Sequence, residues 1–153
     1  MDDVAVVERQ LGRRPRAVRR VAVRCPFGRP AVTEQEPYDE DGRPFPTGFW
    51  LTCPHLVAAV SRVEAAGGVE RWTRAAEEDP ELAGSLARAH AEQRAVRPEL
   101  DLGVAGARAG AASLKCLHAH AAFALARPGY ELGERILAEV EPLWPAAGCC
   151  TPE

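Results

Sequence analysis

The sequence predicts an α+β fold that is mostly α, with a small antiparallel sheet near the N-terminus followed by a helical bundle. Two patterns predict it. The first fifty residues hold short apolar or alternating runs separated by proline and glycine, as strands and turns require. Beyond residue 53, apolar residues recur at helical spacing. The length of 153 residues, 46% of them hydrophobic, fits a single globular domain over residues 1–153.

The N-terminal part alternates between regular elements and turns. Val4, Val7 and Leu11 share one face of a helix that Gly12 ends. The prolines and the Asp41-Gly42 pair of the following loop exclude regular structure there. The predicted elements are a helix over residues 3–11, strands over 18–24, 31–34 and 48–52, and a loop over 36–47.

The rest of the chain is predicted to be helical. Pro54 suits the first turn of a helix, where its missing N–H leaves no hydrogen bond unmade, and Asp79-Pro80 marks a second start of this kind. Ser113 is the expected cap of the helix that carries two of the histidines. The predicted helices run from residue 53 to Gly67-Gly68 and over 69–78, 79–97, 113–126 and 132–143, with a loop over 98–112.

Charge is unevenly distributed. Eight arginines fall between residues 9 and 29, and an acidic block over residues 34–41 follows them. We interpret the two blocks as solvated surface that is partly neutralised internally. The alternative is a contact with nucleic acid or phosphate. No aromatic residue interleaves the arginines and no DNA-binding motif accompanies them, which argues against nucleic acid.

The expected compartment is the cytoplasm. The longest apolar run has six residues, at 121–126, which is far too short to cross a membrane, so no membrane partner is expected. The chain starts Met1-Asp2-Asp3, without the basic and apolar regions of a signal peptide. In a reducing compartment, cysteines are usually free, catalytic or metal-bound, and an odd number of them fits this.

The five cysteines are the main candidates in this sequence for metal binding or catalysis. Cys25 and Cys53 each precede a proline, Cys116 lies in Lys115-Cys116-Leu117-His118, and Cys149 and Cys150 lie near the C-terminus. Predicted helix starts at Cys53 and Cys116 would lower the thiol pKa and favour the thiolate, the form that binds metal or attacks. The plainer interpretation is that these are small, buried apolar side chains. We predict that Cys25, Cys53 and Cys116 converge.

The helical spacing of the histidines predicts their roles. Residues four apart share a helix face, so Cys116 and His120 are expected to face one site. His118 would then be a hydrogen-bonded structural residue, unless Cys116 lies just before the helix, where its side chain could reach His118. His90 lies beside an apolar stripe, where a structural role is favoured.

A set of motifs resembles the domain of unknown function 501 family, which is bacterial and mainly actinobacterial. In order, they include Arg24-Cys25-Pro26, residues 41–47, Leu51-Thr52-Cys53-Pro54 and Lys115-Cys116-Leu117-His118. The resemblance covers about residues 9–150, leaves residues 1–8 and 146–153 peripheral, and implies no particular activity. This chain has Phe27 where the family usually has a further cysteine.

Three function classes stay open at this point. The first is a metal or iron–sulfur binding protein, with zinc or an iron–sulfur cluster as the expected cofactor. The second is a non-catalytic module that binds a protein partner through the charged segments. The third is a small thiol enzyme with Cys116 as nucleophile and His118 or His90 as base. The candidate metal ligands are Cys25, Cys53, Cys116, His118, Cys149 and Cys150, and no catalytic residue is assigned.

Overall fold

A computed structural model of the protein describes residues 2–152 and confirms the α+β, mostly α class. Two short 3-10 helices, Pro98–Leu100 and Val104–Gly106, occupy the predicted loop before the fifth α-helix. The strands are β1 Val18–Arg24, β2 Pro30–Gln35 and β3 Phe49–Leu51, and the helices are α1 Asp3–Leu11, α2 Pro54–Ala65, α3 Gly68–Glu78, α4 Pro80–Val96, α5 Leu117–Ala126 and α6 Glu131–Glu139.

The sheet is antiparallel with β2 at its centre. Val21 of β1 pairs with Thr33, which in turn pairs with Trp50 of β3. Every residue of β2 is buried, since both of its edges are hydrogen-bonded and helices cover the sheet. The short β3 leads directly into Cys53 and α2. Because β3 pairs with the central strand and leads into α2, the sheet places α2 beside α5.

Helix α5 is the centre of the core and packs against β3 and α6. Phe123 is fully buried and makes edge contacts with Phe49 and Tyr130, at ring-centre distances of 5.7 and 5.6 Å. A side chain at Gly133 would meet Ala124 at 2.7 Å, so only glycine permits this approach of α6 to α5. These contacts fix α5 relative to the sheet.

Two helix boundaries differ from the prediction. Helix α5 begins at Leu117 rather than at Ser113, because Lys115 adopts a left-handed conformation with φ of 67°. The Ser113 hydroxyl accepts a hydrogen bond from the Lys115 amide and closes a turn instead of capping a helix. Helix α6 ends at Glu139 rather than Leu143, because Pro142 disfavours helical structure at the residue before it.

The charged blocks bind each other, as predicted. Exposed ion pairs join Arg16 to Asp41 at 3.0 Å and Arg19 to Glu36 at 3.1 Å. The carboxylate of Glu34 is largely buried and contacts two arginines, including Arg20 at 3.1 Å. Much of the basic surface is therefore neutralised within the fold.

None of the helices within residues 2–152 is both long and apolar enough to span a bilayer. The longest, α4, has 17 residues and carries several charged side chains.

Candidate metal centre

The start of α5 places a thiol and an imidazole side by side. Cys116 is the residue before the first helical turn, with an extended backbone that follows the left-handed Lys115. From this position its sulfur lies 3.8 Å from Nδ1 of His118. The two side chains meet because Cys116 lies outside the helix, where the spacing rule for helical residues does not apply.

A carboxylate from α2 completes the group. Glu64 Oε2 lies 3.2 Å from Nδ1 of His118 and accepts a 2.7 Å hydrogen bond from the Leu117 amide, at the start of α5. The ligand atoms of Glu64, Cys116 and His118 all lie within 4.8 Å of one another. In residues 2–152, no other group of three or more histidine, cysteine or acidic side chains meets this condition.

Hydrogen bonds fix the orientation of the His118 ring. Its Nε2 lies 3.2 Å from the carbonyl oxygen of Val57 and 3.0 Å from the hydroxyl of Ser61. Because a carbonyl only accepts, Nε2 carries the proton and donates it there. Nδ1 is thereby left to face the thiol and the carboxylate. Metal-binding histidines are typically oriented in this way, with the second ring nitrogen donating to a carbonyl or carboxylate.

The electrostatics of the group favour a cation. The hydrogen bond with Cys116 raises the pKa of His118 to about 8, with further contributions from Glu64 and from the Val57 carbonyl, and partial burial opposes the rise. Two groups that can carry negative charge therefore surround one nitrogen, and a proton on Nδ1 can neutralise them. A divalent metal ion can replace that proton, since metal binding displaces protons from its ligands.

The same geometry is poorly suited to nucleophilic catalysis. An acyl-transfer enzyme needs amide N–H groups that point at a developing oxyanion near the nucleophile. The Cys116 amide donates to the carbonyl of Leu114 at 2.8 Å, and the Leu117 amide donates to Glu64. Both nearby amides are therefore occupied and cannot stabilise an oxyanion.

The remaining cysteines lie in two pairs, which the adjacent residues Cys149 and Cys150 connect along the chain. The sulfurs of Cys53 and Cys150 are 3.8 Å apart, and Cys25 lies near Cys149. Burial raises the pKa of Cys53 to about 11, although Cys53 precedes α2 as predicted. The structure brings together Cys116 and His118 of the predicted ligands. The other four thiols lie outside that group of ligand atoms.

His120 does not face Cys116, contrary to expectation. It is fully buried, with Nδ1 2.8 Å from the hydroxyl of Tyr130 and Nε2 3.0 Å from the carbonyl of Leu114. Burial lowers its pKa to about 4. His90 is also structural, since its Nδ1 accepts a hydrogen bond from the Val104 amide at 3.0 Å.

Glu64 was missed by sequence reasoning. One weak signal was available: Glu64 lies in the last turn of α2, where the negative end of the helix dipole disfavours an acidic side chain. An acid in that position suggests a specific partner. Because Glu64 is far from Cys116 and His118 in the sequence, the sequence alone does not identify that partner.

A cleft of about 640 Å³ opens beside the group. Cys116, His118 and Val57 form part of its wall, and most of the remainder comes from α1, β3, the start of α2 and the residues that flank them. The group is therefore accessible to a small molecule.

Comparison with known proteins agrees with the resemblance seen in the sequence. The family described as "Protein of unknown function (DUF501)" matches residues 21–101, a shorter segment than the 9–150 of the motif resemblance. Cys25, Cys53 and Glu64 fall inside this segment, whereas Cys116 and His118 fall outside it. No curated protein and no solved structure matches the chain.

Proposed function

The chain belongs to the DUF501 family, whose description assigns no activity, and we propose from the site itself that the protein binds a divalent metal ion. The proposed ligands are Cys116, His118 and Glu64. The observation that carries the proposal is the convergence of one sulfur, one nitrogen and one oxygen within 4.8 Å, with the imidazole held by its other nitrogen.

Zinc is the metal that fits this donor set best. Zinc accepts thiolate, imidazole and carboxylate ligands in four-coordinate geometry, whereas iron–sulfur clusters require mostly thiolates. Three protein ligands leave a fourth position for water or a bound molecule, which is the pattern of zinc sites that act on ligands. The adjoining cleft supports this arrangement. We keep the cytoplasm as the expected compartment, because five free thiols suit reducing conditions.

Cobalt(II) titration of the metal-free full-length protein tests the proposal. Cobalt occupies zinc sites and its absorption reports thiolate ligation directly. We expect one equivalent to bind, with thiolate-to-metal bands that zinc then abolishes. Zinc at one hundred times its dissociation constant should raise the free energy of unfolding by about 2.7 kcal/mol.

Matched variants identify the ligands. Cys116→Ser and His118→Ala should each weaken cobalt binding by at least about 100-fold, more than the loss of an outer hydrogen bond would cause. Cys149→Ser is the control, because Cys149 is exposed and lies outside the group. A wild-type protein that binds no cobalt through thiolate, or a Cys116→Ser variant with unchanged affinity, would refute the proposal. Rapid alkylation of Cys116 in that metal-free wild type would instead favour the thiol enzyme.

A further inference from the structure

The thiol of Cys149 is exposed and is surrounded by groups that stabilise its anionic form. The Thr151 amide donates to the Cys149 sulfur at 3.4 Å, and the Thr151 hydroxyl oxygen lies 3.1 Å from the same sulfur. Gln10 fixes this hydroxyl, because its side-chain nitrogen donates to the hydroxyl oxygen at 3.0 Å. When the thiol loses its proton, the hydroxyl can donate to the sulfur, so Thr151 then supplies two hydrogen bonds to the thiolate.

The turn between β1 and β2 adds a cation and a second thiol. It is closed by a 2.8 Å hydrogen bond from the Cys25 amide to the Arg29 carbonyl, and both residues lie near Cys149. Although partial burial opposes the change, the Thr151 donors, the Cys25 thiol and the charge of Arg29 lower the pKa of Cys149. Accessible cysteines of this kind, beside a second thiol, are the ones that peroxides oxidise and that then form disulfides.

The neighbouring pair of Cys53 and Cys150 is more protected. Its sulfurs are 3.8 Å apart, but Cys53 is only 3% exposed. Burial also raises the pKa of Cys53 to about 11, so this thiol keeps its proton. Because the thiolate is the reactive form, Cys149 and Cys25 are expected to react before this pair does.

We propose that Cys149 and Cys25 form a reversible, peroxide-sensitive pair in which Cys149 is oxidised first. The Cys149 thiolate attacks one oxygen of a hydroperoxide and becomes a sulfenic acid. The O–O bond breaks, and the leaving oxygen takes up the proton that the thiol released. The Cys25 sulfur then attacks the Cys149 sulfur, the S–O bond breaks, and water leaves with the Cys25 proton. Two thiols thus give two electrons to the peroxide and become one disulfide, which a dithiol reductant reverses.

The disulfide ties the C-terminal tail covalently to the hairpin. In the reduced protein, the hydrogen bond between Gln10 and Thr151 is one of the contacts that hold this tail. In the expected reducing compartment, such a disulfide is transient, as in redox-sensing proteins. The pair is independent of the proposed metal centre, because neither Cys25 nor Cys149 belongs to its ligand group.

Hydrogen peroxide added to the reduced full-length protein tests the proposal. The remaining thiols are then blocked, and the products of a glutamate-specific protease are identified by mass spectrometry. We expect a disulfide that joins Cys25 to the peptide of residues 140–153. Cleavage after Glu34 separates Cys25 from Cys53, so the two possible partners are distinguished. Dithiothreitol should restore both thiols.

Matched variants identify the roles of the residues. Cys149→Ser should abolish the disulfide, whereas Cys150→Ser should form it at the wild-type rate. Cys25→Ser should leave the sulfenic acid on Cys149 unresolved, so dimedone should label it more strongly than in the wild type. Arg29→Gln should slow disulfide formation at least about threefold, because the thiolate loses a neighbouring cation. Arg88→Gln, which changes an exposed arginine of α4, should not slow it.

Several results would overturn the proposal. A first disulfide between Cys53 and Cys150, or between the adjacent Cys149 and Cys150, would show that another thiol reacts or resolves. Failure to form any disulfide would do the same. An equal rate in Arg29→Gln and the wild type would show that these surroundings do not activate Cys149. Because Cys149→Ser should also keep its cobalt affinity, each of these results leaves the metal centre to be judged separately.

Discussion

The two faces of α5 carry histidines with opposite behaviour, although His118 and His120 are only two residues apart. His118 faces the cleft, where a thiol and a carboxylate raise its pKa to about 8. His120 faces the core, where burial lowers its pKa to about 4, and both of its nitrogens are used by Tyr130 and Leu114. One helix therefore holds a histidine suited to positive charge and one that must stay neutral.

The same contrast separates the thiols. Cys116 has nitrogen and oxygen neighbours at the cleft, whereas Cys53 is 3% exposed and its sulfur neighbours that of Cys150. Burial raises the pKa of Cys53 to about 11, so this thiol keeps its proton. The thiolate is the form that binds metal, so the buried thiol of Cys53 is poorly suited to that role. The difference teaches that mixed donors beside a cleft, rather than cysteine content, mark the candidate site.

The largest expected effect is an acid-dependent loss of stability caused by His120. The unfolded chain protonates this histidine near its ordinary pKa of 6.5, whereas the folded protein protonates it near 4. Between these values the unfolded state binds more protons, so stability falls as the pH falls from 6.5 towards 4. The total loss is about 3 kcal/mol, at about 1.4 kcal/mol for each pH unit. Urea unfolding of metal-free protein at several pH values measures it.

Two variants assign this slope to the correct histidine. His120→Gln should make the slope shallower, even if the variant is less stable overall; His90, whose pKa burial also lowers, keeps part of it. His118→Gln should preserve most of it, because His118 is largely protonated in both states over most of that pH range. Should His120→Gln fail to fold, NMR titration of the wild-type His120 ring decides the matter. A ring that becomes protonated near pH 6.5 in the folded protein contradicts the prediction.

Much of the fold could be predicted from the sequence because its signals are local. Alternation, helical periodicity, proline at helix starts and the Asp79 cap, which accepts a hydrogen bond from the Glu81 amide, all act within a few residues. The arginine and acidic blocks also pair as expected. Such features depend on neighbouring residues rather than on the tertiary structure.

The site depends on two features that are not local. The left-handed backbone of Lys115 moves the start of α5 past Cys116, and this exchanges the expected roles of His118 and His120. A lysine rarely adopts this conformation, so the sequence gives no warning of it. Glu64 reaches the group from α2, 53 positions before Leu117, and only the packing of α2 beside α5 brings it there.

A smaller effect should distinguish the core thiol from the cleft thiol. Cys53→Ser places a hydroxyl in the buried position beside Cys150 and should lower the free energy of unfolding by about 1–3 kcal/mol. Cobalt affinity should not change, since Cys53 lies outside the proposed ligand group. Cys149→Ser, at an exposed position, should change stability by less than about 0.5 kcal/mol. Loss of cobalt binding in Cys53→Ser would mean that the two thiol regions act as one site.

The smallest expected effect tests whether the hydroxyl of Ser61 orients the His118 ring for metal binding. Ser61→Ala removes one of the two acceptors near Nε2 and leaves the Val57 carbonyl in place. Loss of such an outer hydrogen bond typically lowers metal affinity by about 10–100-fold. Because the Val57 carbonyl remains as an acceptor, we expect this variant to lose about tenfold, which corresponds to about 1.4 kcal/mol. Ser61→Thr keeps the hydroxyl and should retain the wild-type affinity, because the position is exposed. Competition between cobalt and a chelator measures both variants against the wild type. Equal affinities for Ser61→Ala and Ser61→Thr would show that the ring needs no help from Ser61, leaving Val57 alone to orient it.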